Sequence, residues 1–358
     1  MYRVNVIAHT AAALPVGHPA DPASELVTVA IQAPRPVLAE FNTHRALCRN
    51  VESSRAVKIE SRLAMLRENP YVPGATPDGR PLLGNNPGMV AVTPLADLQV
   101  AAGRLLYRCA AGIAAKYAED LLGYGWHKQD VNRLTEPFSW TRILATGNRG
   151  AWNHFLWLRT AEDVYPPLRV VARAIAVALA RSVPRRVIPC ALDAWHLPYI
   201  TDADRSAADE RARARCGGIV EFQPSAARLG PWRSVREAEL LWHHVPTMFL
   251  CRWSAARCAM ISYAKFGDGR GYDALDTMFD TKLIPPDTNR PPHASCAEHQ
   301  AQIIFAGSLP AEGIGGNLGH WCKQYRKCLP GEYHPSYTPD AATLANWAIP
   351  DEFFEPLT

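Results

Sequence analysis

Residues 26–55 read LVTVAIQAPRPVLAEFNTHRALCRNVESSR, and most of what the sequence says about the fold lies in them. Leu26–Ile31 is β-branched and weakly alternating, the pattern of a strand that stops before Pro34. Pro36, with its fixed φ, suits the first turn of a helix whose apolar positions include Val37, Leu38, Phe41 and Leu47. A concentration of donors follows: His44, Arg45, Arg49 and Arg55, with Asn50, Ser53 and Ser54. No matching set of carboxylates accompanies them. Guanidinium groups give forked bonds to anionic oxygens, and Ser and Asn fill the remaining acceptors. The bland account is a solvated basic helix face; short polar donors this dense, after a strand and a Pro-marked helix start, point to a ligand site instead.

Outward from that stretch, Leu95–Leu122 carries Ala and Leu at helical spacing and ends at Gly123 and Gly125. Apolar stripes predict two more helices, over Ala151–Arg159 and Pro167–Ser182; on the first, Trp152 and Trp157 are expected to pack in the core. Thr201–Arg215 is charged and Ala-rich, a solvated helix or an insertion. Asn69–Thr93, Leu283–Pro292 and the tail beyond Pro330 read as loop. We divide the chain into a main catalytic segment, 1–200, an insertion or linker, 201–250, and a segment completing the same domain, 251–358.

Of 358 residues, 48% are apolar and 20% charged, the balance of an ordinary globular protein, and the net charge is only +4. Such a charge suits a phosphorylated small molecule better than a nucleic-acid polymer, which needs a clustered basic face. The start of the chain lacks the form of a signal peptide. No uncharged apolar run reaches the roughly 18 residues that a membrane helix takes. Nine scattered cysteines predict free thiols in a reducing cytoplasm. His293, Cys296, His299, Cys322 and Cys328 lack a C-x-x-C pair, so no metal site is expected. Gly267, Gly269 and Gly271 read as a turn, and Cys190, after Pro189, as a buried structural thiol.

Three blocks resemble the flavin-dependent thymidylate synthases. That family's R-H-R-x-x-S-x-N-E-x-S-x-R-Y falls on Thr43–Ala56 and matches at His44, Arg45, Asn50, Ser53 and Arg55; Thr43, Cys48, Val51 and Ala56 depart from it. Glu40 stands where the family usually has Gln. Arg133-Leu-Thr-Glu-Pro137 resembles R-x-x-L-P. Asn148–Arg159 resembles N-x-R-S-x-x-H-F-L-x-L-R, with Gly150 at the place of the second Arg. Two further pieces, Ala259–Tyr263 (like A-R-V-S-[YF]) and His293–His299 (like H-x-[ST]-P-F-E-H), come last here and first in the family. The likeness therefore implies a circularly permuted order, as in longer phage-type relatives; domain termini lie close enough for such an order to build one fold.

The resemblance implies an α/β fold, a sheet flanked by helices, assembled as a homotetramer with flavin between subunits. It implies reductive methylation of dUMP to dTMP with FAD, NADPH and methylenetetrahydrofolate. Arg159 is the implied catalytic residue, a fixed cation stabilising charge on the uracil ring. Glu40, Thr43, Ser53, Ser54, Arg55 and Arg133 would bind the nucleotide. His44, Arg45, Asn50, Asn148, Arg149, His154, Ser262 and His299 would line the flavin. Either Arg49 or Arg149 is expected to replace the missing cations at Thr43 and Gly150. If the order is permuted, Glu298 and His299 belong beside Leu26–Ile31 and near His44. Two alternatives stay open: methylation or hydroxymethylation of another pyrimidine nucleotide, and a non-catalytic flavin- or nucleotide-binding descendant.

Overall fold

The computed structural model describes residues 2–15, 21–73, 95–216, 235–262, 270–283, 294–306 and 314–329. The GDGRG turn, the connector after Leu283 and the tail beyond Pro330 fall largely or wholly outside them. The protein is α/β. A mixed five-stranded sheet has the order β3-β4-β2-β1-β5, from strands Arg3–Ala12 (β1), Glu25–Pro34 (β2), Cys48–Val51 (β3), Trp140–Asn148 (β4) and Arg185–Val187 (β5). Only the β1–β5 pairing is parallel. A small second sheet joins Trp195–His196 (β6), Ala301–Ile303 (β7) and Cys322–Gln324 (β8).

Strand β2 is the sheet's centre and is buried along nearly its whole length. It runs through Pro34 rather than stopping before it. Pro34 is the last residue of the strand, where a missing N–H costs the ladder least. The helix expected after Pro36 is short: a 3-10 turn, Arg35–Val37, leads into α1, Leu38–Phe41. Leu47 is buried but lies beyond α1, and Cys48–Val51 is extended, paired antiparallel with β4 (Cys48↔Thr146).

The other helices are Ile59–Glu68 (α2), Asp97–Gly123 (α3), Lys128–Leu134 (α4), Arg149–Arg159 (α5), Pro166–Arg181 (α6), Asp202–Cys216 (α7), Val235–Ala259 (α8) and Tyr272–Met278 (α9). Helix α3 ends as expected: Gly125 takes a left-handed φ of +83°, and its N–H donates to the Leu122 carbonyl (2.9 Å). Helix α8 runs continuously across position 250, and α7, far from being wholly solvated, buries Asp204, Ala208 and Ala212. The Asp204 carboxylate takes a forked pair from Arg257 of α8 (2.7 and 2.8 Å).

On one face of the large sheet, α5 and α6 pack Trp152, Phe155, Leu168 and Ile175 against Val27, Val29, Phe41 and Ile143. Trp157 is not part of this core; it is 74% exposed. Five residues on from Trp152, it is rotated roughly 140° around the helix, so one apolar stripe does not hold both.

The other face carries a buried polar row. His196 accepts or donates to Thr10 Oγ1 through Nδ1 (3.0 Å) and to Thr28 Oγ1 through Nε2 (2.7 Å). Thr28 and Thr146, direct cross-strand partners, bond at 2.6 Å, and Thr146 reaches His299 Nδ1 at 2.8 Å. Both rings are fully buried, and burial pushes both pKa values down to about 3, so they are neutral. His299 thus bonds to β4, the strand next to the expected β2. The turn that precedes it packs on β3, where Ser295 Oγ meets Asn50 Oδ1 (3.5 Å).

Candidate active site

Two groups of side chains meet at α1. Its Leu38, with the following Asn42, helps to line a cavity of about 420 Å³; its Glu40, with Thr43 just beyond, turns toward α5. The cavity is also lined by Arg35, Ser53, Ser54, Arg55, Arg133 and Glu136. Strand β3 ends at Val51, and the turn after it carries Ser53–Arg55 to the cavity wall; α4 supplies Arg133 opposite. Four of the six substrate-side residues read from sequence, Ser53, Ser54, Arg55 and Arg133, thus converge, although the two blocks are separated by some 80 positions of chain.

The electrostatics of the cavity are uneven. Arg35 pairs with Glu136 (2.9 Å) and donates to Ser54 Oγ (2.9 Å) and the Glu52 carbonyl (3.1 Å), while Ser54 donates to Glu136. Glu52 turns inward, held by Arg62 (3.2 Å) and Arg142 (2.8 Å). Asn132 donates to the Ser54 carbonyl (2.7 Å), fixing the turn to α4. Arg55 and Arg133 are exposed at the mouth and make no ion pair among the described residues. Two uncompensated guanidinium groups facing one opening are suited to an oxyanion such as phosphate.

At the other side of α1, Arg159 closes helix α5. Its Nε donates to His44 Nε2 (2.8 Å), Nη1 to Glu40 Oε2 (3.2 Å) and Nη2 to Thr43 Oγ1 (3.3 Å). The His44 ring sits edge-on against Phe155 at 4.8 Å. Burial, then the Arg159 guanidinium, then His154 and Arg49 push the His44 pKa down to about 4, so the ring is neutral and can accept from Arg159. A single guanidinium is held by three side chains from one short segment, which fixes its plane and leaves little freedom to lose on binding.

The residues read as flavin contacts do not converge in the same way. Arg45 and His154 are exposed. Asn148 caps α5, accepting from the Ala151 N–H (2.8 Å), and its amide donates to the Leu318 carbonyl (3.1 Å). Asn50 donates to the Cys258 carbonyl (3.2 Å). His299 is interior, so this geometry offers its ring no surface ligand, and the side chain of Ser262 lies outside the described residues. Arg49 is on a strand, not one helical turn beyond Arg45, and donates to the His44 carbonyl; Arg149 pairs with Glu25 (3.6 Å). Neither lines the cavity. Cys190, expected to be buried, is exposed with a left-handed φ of +66°, because a tight turn places it at the surface.

Sequence reasoning missed Arg35 and Glu136. Glu136 was visible: it stands where R-x-x-L-P has Leu. Arg35 had no signal of its own, since its role depends on which residues the sheet brings to it. No protein-family profile and no curated protein matches the chain. Among solved structures, it is similar to the UMP/dUMP methylase PolB from Streptomyces cacaoi bound with 5-Br UMP: 19% identity, TM-score 0.42, 51% of this chain and 89% of that one. It is also similar to the flavin-dependent thymidylate synthase ThyX from Helicobacter pylori complexed with FAD and dUMP: 17% identity, TM-score 0.29, 43% of this chain and 67% of that one.

Proposed function

We propose that the protein methylates a pyrimidine nucleotide, with dUMP to dTMP as the reaction and FAD, NADPH and methylenetetrahydrofolate as the co-reactants. The observation that carries this reading is the meeting of Ser53, Arg55 and Arg133 around one cavity, with the two guanidiniums unpaired among the described residues. In this reading the phosphate binds Arg55 and Arg133. Arg159, already oriented by Glu40, Thr43 and His44, offers a fixed positive charge to the pyrimidine ring as its C5 becomes nucleophilic. Neutral His44 accepts from Arg159 and so does not compete as a second cation. Arg45 and His154 are the exposed groups left to contact a flavin, which when bound would supply the redox and one-carbon chemistry. Asn148, Arg149 and His299 are already engaged within the chain and fit that role less well.

Glu136 favours a second reading, another pyrimidine nucleotide as substrate. A carboxylate in the cavity accepts from a donor on the ligand, and a ribose 2′-hydroxyl or a cytosine 4-amino group supplies one that dUMP lacks. Self-assembly is supported by the outer face of α3, where Leu98, Leu105, Leu106, Ile113, Tyr117 and Tyr124 are all exposed; we propose a homotetramer. Among the described residues no helix is long and apolar enough to cross a membrane. The free thiols of the described cysteines support a cytoplasmic location, which is part of the proposal. The three sequence segments would then form one catalytic domain in permuted order.

The test is calorimetric titration of dUMP, UMP and dCMP into the protein, followed by a methylation assay with FAD, NADPH and the folate. Micromolar binding of one nucleotide, lost in Arg133→Ala, is the expected result. No binding of any of the three would overturn the reading.

A further inference from the structure

A second cavity, of about 170 Å³, lies where α2 ends, between the Asn69–Val72 segment, α3 and the first residue of β4. Arg104 and Arg108 of α3 line it together with Tyr71, Trp140, Asn69 and Glu68. The buried row of Arg62, Glu52 and Arg142 separates it from the nucleotide cavity: Arg62 donates to the Trp140 carbonyl on this side (3.3 Å) and to Glu52 on the other (3.2 Å).

Its two cations are four residues apart, so they are neighbours on one face of α3, an arrangement of like charges that weakens a helix. Most arginines of the interior are paired: Arg35 with Glu136, Arg62 and Arg142 with Glu52, Arg257 with Asp204. Among the described residues Arg104 and Arg108 have no ion pair, and Arg104 Nε is buried without a hydrogen-bond partner. The same holds for the Nε atoms of Arg62, Arg169 and Arg326, but their terminal nitrogens, unlike those of Arg104, bond to other described residues. A buried donor without an acceptor is unusual enough to require a cause. The aromatic walls show the opposite state. The Trp140 indole donates to the Asn69 carbonyl (3.1 Å), the Tyr71 hydroxyl meets that of Tyr165 (3.3 Å), and the two rings pack edge to face at 5.9 Å. Their polar atoms are used, so they present hydrocarbon.

We infer that this cavity binds a small aromatic carboxylate, its oxygens on Arg104 and Arg108 and its ring against Trp140 and Tyr71. The lining selects the class: paired guanidiniums suit a carboxylate and aromatic walls suit a ring. Glu68 adds a negative charge to the lining, which favours a monoanion over a phosphate dianion.

The experiment is calorimetric titration, at low salt, of benzoate, acetate and inorganic phosphate into the full-length protein and into Arg104→Ala, Arg108→Ala, the double variant and Trp140→Phe. Arg133→Ala serves as the control on the nucleotide cavity. Alanine is the better helix former, and circular dichroism will show that α3 persists. Benzoate should bind more tightly than acetate or phosphate, weaken about tenfold or more in the double variant, as loss of charge-assisted bonds requires, and be unchanged in Arg133→Ala. Absence of benzoate binding up to about 10 mM, equal binding in the double variant, or phosphate binding more tightly than benzoate would each overturn the inference. None of these outcomes depends on the nucleotide reading.

Discussion

The two sides of α1 treat the same chemical group in opposite ways. Toward the cavity, Arg55 and Arg133 are exposed and have no carboxylate among the described residues; toward α5, Arg159 is tied to Glu40, Thr43 and His44. A free guanidinium gains its full interaction from a ligand, whereas a tied one has exchanged part of that gain for a fixed position. In the proposed reaction the difference divides labour: the open pair would supply affinity, and the fixed arginine a charge for the transition state.

Arg159→Ala is the sharpest way to break that division. Turnover should fall on the order of 100- to 1,000-fold while nucleotide affinity, read by calorimetry, hardly moves. An equal loss of affinity would mean that Arg159 is simply a third binding cation. Arg55→Ala and Arg133→Ala should do the reverse, each weakening dUMP binding about 10- to 100-fold, the worth of one charge-assisted hydrogen bond. Their melting temperatures should stay near wild type, because neither side chain holds a described element in place. A large drop in melting temperature would mark them as structural.

Acid separates the two sides differently. Protonating His44 removes the acceptor for Arg159 Nε and sets two cations together; no histidine lines the cavity on the Arg55 side. The folded-state pKa of about 4 lies below the unfolded value, so the unfolded chain binds more protons and stability falls as pH drops from about 6.5 toward 4, with full strength above that window. At pH 5 the loss from this one ring is about 2 kcal/mol. Urea unfolding of wild type and His44→Gln at pH 7 and pH 5 isolates it, since His196 and His299 contribute to both proteins alike; identical pH dependence in the two would remove His44 from the account. The smallest effect is expected of Ser54→Ala, which takes one hydroxyl from the Arg35–Glu136 pair and costs about 1 kcal/mol, measurable in the same urea series.

The residues that could be read in advance are those whose signal is local. Helices α3, α5 and α6 repeat an apolar face over 11 residues or more, and β2 is nearly continuous hydrocarbon. Ser53, Arg55 and Arg133 sat in recognisable spacings. Strand β3 was hidden: four residues long, it exists because Cys48–Val51 finds Thr146–Ile143 almost a hundred positions away, and its side chains carry no period of their own. For the same reason Arg49 looked like a helical neighbour of Arg45. Strand β1, Arg3–Ala12, mixes Arg, Asn and His into an edge-like pattern and kinks through a bulge between Val6 and Ala8, which breaks the alternation that would announce it. Arg35 and Glu136 became site residues only through each other.

The row from Thr10 through His196, Thr28 and Thr146 to His299 sets an order of events during synthesis. By the time β4 leaves the ribosome, three strands with their threonines are present, yet the last acceptor on Thr146 lies some 150 residues downstream. Until that histidine arrives, Thr146 has only Thr28 to bond on the inner face, and its remaining hydrogen-bonding capacity falls to water, so the sheet stays wet and loosely closed. A nascent chain halted near residue 290 should exchange the amide protons of β2 and β4 far faster than the full-length chain, and dry them in one step when the final segment docks.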